Sequence, residues 1–274
     1  MNLTDRYVVI GNPIAHSKSP LIHARFAEQT AQAIHYERLL APMDAFDQTL
    51  KLFIASGGRG ANVTVPFKLE AFRAATQLSS RARAAGAVNT LRFDSGEIVG
   101  DNTDGVGLVR DIVTNADKAI RGQRLLLLGA GGAARGVIQA LMAERPSHFV
   151  IANRTPERAQ ELVEQFSDDS SVPLEASNFS DLHTRFDVVI NATSASLASE
   201  LPAVPPSVLG PQTFVYDMMY SSSPTLFMQL ASSQGASTRD GLGMLVEQAA
   251  ESFFIWRGIR PETASVYQWL RTQL

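Results

Sequence analysis

The sequence predicts a two-domain α/β protein in which mainly parallel sheets are covered by helices, and three observations predict it. The chain has 274 residues, enough for one large domain or two ordinary ones. Short strand-like runs alternate with amphipathic helices along most of its length, which indicates parallel sheets buried on both faces. A glycine-rich turn after the apolar run 124–128 is typical of a doubly wound, Rossmann-type nucleotide-binding domain.

The amino-acid composition argues against nucleic acids, metal ions and membranes as binding partners of this chain. Hydrophobic residues make up 45% of the chain and charged residues 19%, as in globular proteins with an ample core. The 24 basic and 27 acidic residues give a net charge of −3, which does not favour nucleic acid. Cysteine is absent, the histidines lack metal-ligand spacing, and no apolar run approaches the roughly 20 residues that span a bilayer. We therefore expect a cytoplasmic protein that acts on a small molecule, without a metal ion, nucleic acid or membrane.

The first hundred residues alternate strands and helices. Ser19-Pro20 has the residue types of a helix start, with serine as the N-cap and proline at the first helical position. Strands are predicted at Tyr7–Ile10, Tyr36–Leu40, Ala61–Val65 and Val88–Phe93. Helices are predicted at about 19–33, at 43–55, from Pro66 onward and at about 79–85.

The alternation is cleaner from residue 123 onward, and six strands there match a doubly wound domain. The patch Ser194–Pro211 is rich in proline and serine and is predicted to be a loop, and the tail 241–274 is predicted to be helical. The six strands are predicted at Arg124–Leu128, Phe149–Asn153, Leu174–Ala176, Asp187–Asn191, Phe214–Met218 and Ala236–Thr238. The clearest helices between them are predicted at Gly132–Arg145 and Thr155–Phe166.

The glycine turn at residues 129–134 carries a dinucleotide-binding pattern. Gly129 permits the tight turn, Gly131 lets the backbone approach a pyrophosphate, and Ala134 allows the helix to pack closely on the strand. The turn follows four leucines and opens an amphipathic helix, so that the first amides of the helix face the phosphates. A glycine-rich turn without a ligand is the alternative interpretation.

The end of the next predicted strand indicates which dinucleotide binds. An acidic residue there binds the 2′-hydroxyl of NAD. This chain instead has Asn153 and Arg154, with Arg158 one helical turn further on. Two arginines suit a 2′-phosphate through charge-assisted hydrogen bonds, so the segment favours NADP over NAD.

Three polar clusters each follow a predicted strand of the first half, at 16–20, at 62–68, and at 87–90 followed by 100–105. The carboxyl ends of parallel strands form the ligand crevice of such a sheet, so these clusters are expected to converge. Ser17 and Ser19 have hydroxyl donors for a carboxylate. Asn62, Thr64 and Asn89 have donors and acceptors for hydroxyl groups, and these five residues are candidates for substrate binding.

Lys68 falls in the first turn of a predicted helix, where the helix dipole disfavours a cation. A carboxylate such as Asp104 would compensate. A lysine and an aspartate together suit carbonyl reduction, because the alkoxide that hydride transfer creates must be protonated. A solvated surface lysine is the alternative, and turn-forming roles are the alternatives for Ser17 and Asn89.

Taken together, these segments resemble the shikimate dehydrogenase family over essentially the whole chain. The resemblance rests on ordered matches that are each a motif of the family: Gly11–Pro20, Asn62–Lys68, Gly86–Thr90, Gly100–Gly105, Gly129–Ala133, Asn153–Thr155, Tyr216–Tyr220 and Asp240–Gln248.

The resemblance implies NADP-dependent, reversible reduction of 3-dehydroshikimate to shikimate, a step toward chorismate and the aromatic amino acids. It implies that Lys68 and Asp104 are the catalytic pair. The implied substrate-binding residues are Ser17, Ser19, Thr64, Asn89, Tyr220 and Gln248, and Asn62 stays a candidate from the polar clusters alone. The implied cofactor-binding residues are Gly129, Ala130, Gly131, Gly132, Ala133, Asn153, Arg154, Thr155, Arg158, Met218 and Gly241.

The resemblance also implies that the substrate domain is discontinuous, with residues 1–104 plus 242–274 in that domain and residues 105–241 in the NADP-binding domain. Gln248 has independent support, because it follows Met244 and Leu245 at helical spacing and a buried amide must find partners. We expect a monomer or a homodimer.

Two alternatives remain open. One is a quinate/shikimate dehydrogenase that uses NAD; the presence of Ser17, Ser19 and Arg154 argues against it. The other is an NADP-binding sensor without catalysis on the same fold, and the presence of Lys68 and Asp104 argues against that.

Overall fold

The computed structural model describes residues 4–167, 172–193 and 200–274 and contains two six-stranded sheets. Each sheet belongs to its own unit of the chain. The first unit comprises Met1–Gly107 and Val246–Leu270, and the second comprises Leu108–Leu245 and Arg271–Leu274. The predicted domains change at residues 104 and 241 instead, and the assignment of substrate and cofactor to them remains a prediction. Within the described residues, no helix is both long and apolar enough to cross a membrane.

The sheet of the first unit has the strand order β2-β1-β3-β5-β6-β4. The strands β2, β1 and β3 are parallel, whereas β5 is antiparallel to both β3 and β6. Apolar side chains of β1 and β3 are buried because helices cover the sheet. The strands are β1 (Asp5–Gly11), β2 (Ile34–Leu40), β3 (Gly58–Val63), β4 (Gln77–Leu78), β5 (Thr90–Asp94) and β6 (Glu97–Asp101).

The hairpin of β5 and β6 was not predicted. Ser95 and Gly96 form its two-residue turn, with φ angles of 52° and 88°. Positive φ at both central residues is the requirement of a type I′ hairpin turn. Asn-Gly or Asp-Gly is the usual sequence of such a turn, so Ser-Gly gives a weaker signal.

The predicted N-cap of the first helix is wrong. The helix α1 begins at Ser19 itself, Lys18 is the N-cap residue, and its side chain makes no capping hydrogen bond. Ser19 is already helical, and its backbone N–H donates instead to Oγ of Ser17 at 3.3 Å. The helices of the first half are α1 (Ser19–Thr30), α2 (Phe46–Ala55), α3 (Lys68–Ala74), α4 (Ser80–Ala85) and α5 (Asp104–Arg110).

The sheet of the second unit is parallel throughout, in the order β12-β11-β10-β7-β8-β9. Renumbered within the unit, this is the strand order 3-2-1-4-5-6 of the doubly wound dinucleotide-binding fold. The α/β prediction and the Rossmann-type domain are therefore confirmed. The strands are β7 (Arg124–Leu128), β8 (His148–Ala152), β9 (Leu174–Ser177), β10 (Val188–Asn191), β11 (Phe214–Asp217) and β12 (Ser237–Asp240).

A π-helical turn, Asp111–Asn115, follows α5, and the remaining helices lie between and after the strands of the second sheet. Of the predicted loop Ser194–Pro211, residues 194–199 lie outside the described residues. The described part contains a short 3₁₀ turn, Pro206–Val208. The helices are α6 (Gly132–Ala143), α7 (Pro156–Ser167), α8 (Leu226–Ser233), α9 (Leu242–Arg257) and α10 (Ala264–Arg271).

Candidate active site

Lys68 and Asp104 form an ion pair in the first unit. Lys68 is the first residue of α3, Asp104 is the first residue of α5, and Nζ of the lysine lies 2.5 Å from Oδ2 of the aspartate. The side chains are 32% and 13% exposed, so the pair is partly buried and still reached by solvent. An aspartate is favoured at a helix N-terminus, whereas a lysine there faces the positive end of the dipole. The Asp104 carboxylate supplies the anion that the lysine needs.

The other oxygen of Asp104 is held by Asn89. The Asn89 amide nitrogen donates to Oδ1 of Asp104 at 2.8 Å and to Oγ1 of Thr103 at 2.9 Å. The Asn89 amide oxygen accepts from the backbone N–H of Thr103 and from Oγ1 of Thr90, both at 2.9 Å. Asn89 is buried, so these bonds fix its amide and, through it, the direction of the carboxylate.

Gln248, on α9, belongs to the same cluster. Its side-chain oxygen lies 3.4 Å from Nδ2 of Asn89 and 3.4 Å from Oγ1 of Thr103, at the long end of hydrogen-bond distances. Gln248 is half-buried. The structure therefore joins four of the predicted site residues, Lys68, Asp104, Asn89 and Gln248, through direct contacts.

Asn62 lies deeper than the sequence suggested. It is 6% exposed, and its amide oxygen accepts from the hydroxyl of Tyr36 at 2.8 Å. Its amide nitrogen donates to Oγ of Ser252 at 2.9 Å and to the backbone oxygen of Asn89 at 3.2 Å. Both polar atoms thus have protein partners, and Asn62 connects β3 to α9 within the first unit.

Ser17 and Ser19 lie side by side where the chain enters α1. Their Oγ atoms are 3.2 Å apart, with Ser17 half-buried and Ser19 buried. Arg38 fixes this loop by donating to the backbone oxygen of Ser17 at 2.6 and 3.0 Å. Thr64 is half-buried, and its backbone oxygen accepts from the N–H of Phe67 just before α3.

The glycine turn of the second unit has room for a ligand. Gly129 has a φ of 106°, and a Cβ there would come within 3.2 Å of the Ala192 backbone. Gly131 and Gly132 are exposed, and a Cβ on either would meet no atom within 4 Å. The turn therefore leaves the first amides of α6 open, as a pyrophosphate requires. Ala134 is buried, as its predicted packing role requires.

The end of β8 presents the predicted arginines. Asn153 folds back, donating from its amide to the backbone oxygen of Thr155 at 2.8 Å. Arg154, Thr155 and Arg158 are exposed, and within the described part of the chain no polar side chain pairs with either arginine. Neither Asn153 nor its two neighbours bears a negative charge. These groups fit a phosphorylated ribose, and the exposed amides of the glycine turn fit its pyrophosphate.

Met218 and Gly241 are packed together in the second unit. A Cβ on Gly241 would lie 2.1 Å from the backbone oxygen of Met218, so only glycine fits there without a shift of the chain. Tyr220, two residues after Met218, is half-buried. Its burial and the negative charge of Asp240 raise the pKa of its phenol.

Sequence reasoning missed Tyr36 and Ser252, which hold Asn62. Tyr36 has the appearance of an ordinary strand residue, so no local signal marks it. Ser252 follows Gln248 by four residues on a helix, and that spacing would have placed it on the same face. Among the described residues, no group of three or more His, Asp or Glu side chains is arranged to hold a metal ion.

A partly buried lysine–aspartate pair and an open dinucleotide turn in one chain fit the class of nicotinamide-dependent oxidoreductases. Comparison with known proteins narrows the class. Three family profiles match: "Shikimate dehydrogenase substrate binding domain" over residues 9–91, "Shikimate / quinate 5-dehydrogenase" over 111–199, and "Shikimate 5'-dehydrogenase C-terminal domain" over 241–271. The chain belongs to the shikimate dehydrogenase family.

Individual relatives cover the chain almost completely. A shikimate dehydrogenase (NADP(+)) of Janthinobacterium sp. (strain Marseille) is 62% identical over 271 residues, covering 99% of this chain and 98% of that protein. The crystal structure of an Ael1 enzyme from Pseudomonas putida has a TM-score of 0.92 at 45% identity, covering 97% and 98% of the two chains. Shikimate 5-dehydrogenase from Thermus thermophilus, solved in complex with NADP(H) and shikimate, has a TM-score of 0.88 at 30% identity, covering 98% and 100%.

Proposed function

We propose that this chain reduces 3-dehydroshikimate to shikimate with NADPH, and catalyses the reverse oxidation with NADP⁺, using Lys68 to move the proton. The observation that carries the proposal is the contact of 2.5 Å between Nζ of Lys68 and Oδ2 of Asp104. Bound NADPH supplies the hydride. The assignment of the cofactor rests on the named relatives and on the open glycine turn with its two arginines.

Lys68 donates a proton from its ammonium group to the substrate oxygen as the carbonyl becomes an alkoxide. In the oxidation, the neutral amine of Lys68 accepts the proton of the same hydroxyl. Asp104 holds the lysine through one oxygen while Asn89 holds the other, so the amine keeps one orientation in both directions.

The substrate carboxylate is assigned to Ser17 and Ser19, whose adjacent hydroxyls can donate to its two oxygens. The ring hydroxyls of the substrate are assigned to Thr64, Asn89 and Gln248. Asn62 supports these residues indirectly, because its amide nitrogen donates to the backbone oxygen of Asn89. The family resemblance adds Tyr220 to the substrate-binding residues.

The cofactor is assigned to the second unit. The glycine turn 129–133 takes the pyrophosphate, and the segment 153–158 takes the adenosine ribose with its 2′-phosphate. Met218 and Gly241 complete this set. Placement of the enzyme in chorismate biosynthesis and in the cytoplasm, and a monomeric or homodimeric state, follow from the family resemblance as further parts of the proposal.

The test is an absorbance assay at the reduced-nicotinamide band with purified protein. Shikimate with NADP⁺ is expected to give the highest kcat/KM, above shikimate with NAD⁺ and above quinate with either cofactor. A preference for quinate and NAD⁺ would identify a quinate/shikimate dehydrogenase. Binding of NADPH without turnover of any of these substrates would identify a sensor and contradict the proposal.

A further inference from the structure

Asp101, the first acid of the motif at 100–105, takes no part in the proposed chemistry, yet its carboxylate is the centre of a dense set of contacts. Its Oδ1 accepts from Nε of Arg81 at 2.6 Å, from Oγ of Ser79 at 2.6 Å and from the backbone N–H of Asn102 at 2.7 Å. Its Oδ2 accepts from Nη2 of Arg81 at 2.9 Å. Arg81 therefore forms a bidentate ion pair with Asp101 through two parallel hydrogen bonds, the strongest geometry for an arginine and a carboxylate.

Arg81 also reaches the C-terminal part of the first unit. Its Nη2 donates to Oε1 of Glu251, on α9, at 2.9 Å, and the other oxygen of Glu251 accepts from Arg260. Burial by itself would raise the pKa of the Glu251 carboxyl, but the hydrogen bonds from Arg260 and Arg81 bring that pKa below its ordinary value. One guanidinium thus joins the end of β6 to α9 through two carboxylates.

Each carboxylate lies next to residues of the candidate site. The backbone oxygen of Asp101 accepts from the N–H of Asn89 at 3.1 Å. The side-chain oxygen of Asn102 accepts from the N–H of Asp104 at 3.1 Å, which fixes the first turn of α5. Gln248 precedes Glu251 by three residues, so both lie on one side of α9.

We propose that Arg81 is a positioning residue, whose guanidinium fixes the segment that bears Asp104 and the helix that bears Gln248 in one arrangement. This inference rests on the proposed function and adds to it a residue that touches neither the substrate nor the reacting atoms. A fork that spans two carboxylates needs the planar guanidinium, and the ammonium group of lysine acts as a point charge instead.

A merely structural role is the competing explanation, and Arg257 provides a matched control for it. Arg257 is also in the first unit, on α9, donates from Nε to the side-chain oxygen of Gln32 at 2.8 Å and pairs with Asp5. Its side chain is at least as buried as that of Arg81, and both form multiple polar contacts across the same unit. Its partners, however, lie on β1 and after α1 rather than beside Asp104.

The experiment compares the parent with Arg81→Met, Arg81→Lys and Arg257→Met at a temperature well below the lowest Tm of the four. We expect Arg81→Met to lower kcat and raise the KM for shikimate, each by about ten- to 100-fold, as small displacements of reacting groups do. Arg81→Lys should recover only part of this loss. Arg257→Met should lower Tm while changing kcat and KM by less than about twofold, since its contacts do not reach the site.

Two binding measurements complete the design. The Kd of NADPH, from its fluorescence, should be the same in all four proteins, because the residues assigned to it belong to the second unit. The Kd of shikimate, from calorimetry without cofactor, should rise in both Arg81 variants. Equal kcat, KM and shikimate Kd in Arg81→Met and Arg257→Met would overturn the positioning role. If Arg81→Met does not fold, Arg81→Lys is compared with Arg257→Met in its place, and the same equality would overturn the role.

Failure of the proposed function has a different signature. It would appear as a parent protein without turnover of shikimate, and the shikimate Kd would then still decide whether Arg81 positions the binding residues. A loss of shikimate affinity in the Arg81 variants supports the positioning role in that case, and an unchanged affinity contradicts it.

Discussion

The rings of His23 and Tyr36 stack in the first unit, with centroids 4.2 Å apart and planes inclined by 10°. His23 is fully buried on α1, with the rings of Phe253 and Trp256 also near it. Burial lowers the pKa of His23 from 6.5 to about 3, against a smaller opposing effect of the Asn62 side chain. The imidazole is therefore neutral at the pH of the cell and forms part of the packing around Tyr36.

The burial of His23 makes the unfolding free energy of the protein fall in mild acid. The unfolded chain protonates His23 near pH 6.5, whereas the folded chain resists protonation down to about pH 3. The contribution of the neutral His23 side chain to the unfolding free energy is therefore complete above pH 6.5. It is lost as the pH falls from 6.5 toward 3. At about pH 5 the loss is about 2 kcal/mol of unfolding free energy from this group.

Urea denaturation of the parent and of His23→Phe at about pH 7 and about pH 5 checks this prediction. The phenylalanine keeps a flat ring against Tyr36 and does not titrate, so the fall in unfolding free energy between the two pH values should be smaller in the variant by about 2 kcal/mol. The same fall in both proteins would show that His23 does not resist protonation in the folded chain.

Loss of the Lys68 amine should remove proton transfer while leaving substrate binding almost intact. We expect Lys68→Ala to lower kcat by about 10²- to 10⁴-fold, the usual contribution of a positioned acid or base. The Kd of shikimate should change far less. Lys51→Ala is the control, because Lys51 is an exposed lysine on α2 that pairs only with Asp47 among the ion pairs described. Turnover of Lys68→Ala within a few-fold of the parent would exclude Lys68 from the mechanism.

The two serines before α1 should carry the affinity for the substrate carboxylate. A hydrogen bond to a charged group contributes about 1.5–3 kcal/mol, so Ser17→Ala and Ser19→Ala should each raise the KM for shikimate by at least about tenfold. Ser19 does not cap the helix, but its buried hydroxyl contacts that of Ser17, so Tm is measured together with KM to separate loss of affinity from loss of stability. If neither variant changes KM, the carboxylate binds elsewhere.

Arg154 should distinguish the two dinucleotides. Its fork can donate two hydrogen bonds to the 2′-phosphate of NADP, a group that NAD lacks. Arg154→Ala should raise the Kd of NADPH by about ten- to 150-fold, the equivalent of one charged hydrogen bond of about 1.5–3 kcal/mol. NADH binding is the internal control and should be nearly unchanged. Added salt should weaken NADPH binding more in the parent than in the variant, since exposed charges are screened.

Kinetics with both cofactors give the second readout. The ratio of kcat/KM for NADP⁺ to that for NAD⁺ should fall in Arg154→Ala by the same factor as the affinity. Equal losses for the two cofactors would mean that Arg154 supports the local fold, and the preference for NADP would then lack its physical basis.

The contact between Lys68 and Asp104 is an example of what a sequence can predict. Each residue follows a strand of the first sheet, and the expected convergence of strand ends is observed. It arises, however, through the antiparallel strand β5 between β3 and β6, which pairs Thr90 with both Asn62 and Asp101 and whose antiparallel direction the sequence did not indicate. The lysine at a helix start also signalled the need for an anion. The regular pattern of the second half likewise predicted all six strands of the Rossmann-type sheet.

Contacts that depend on the packing of distant segments were not predictable in this way. Tyr36 is 26 residues from Asn62, and Arg81 is 170 residues from Glu251. Arg81 has the appearance of a solvated helix residue until α9 is placed beside it. The cap at Ser19 failed for a local reason: the helix begins at its best capping residue, one position earlier than predicted, a shift within the usual uncertainty of helix ends, and the Ser17 hydroxyl accepts from the N–H of Ser19.

The first unit is discontinuous in the chain, and this has a consequence for its biosynthesis. Residues 108–245 leave the ribosome before Val246–Leu270. The C-terminal segment of the first unit is therefore synthesised 138 residues (245 − 107) after the first sheet. At about 5–20 residues per second, this delay is roughly 7–28 s. Until then the strand residue Tyr7 lacks Trp256, which stacks on it at 4.6 Å, and Phe26 of α1 lacks the fully buried ring of Phe253. The apolar side chains of the first unit that α9 covers in the folded protein thus stay open longest, although the strands that bear them are the first to be made.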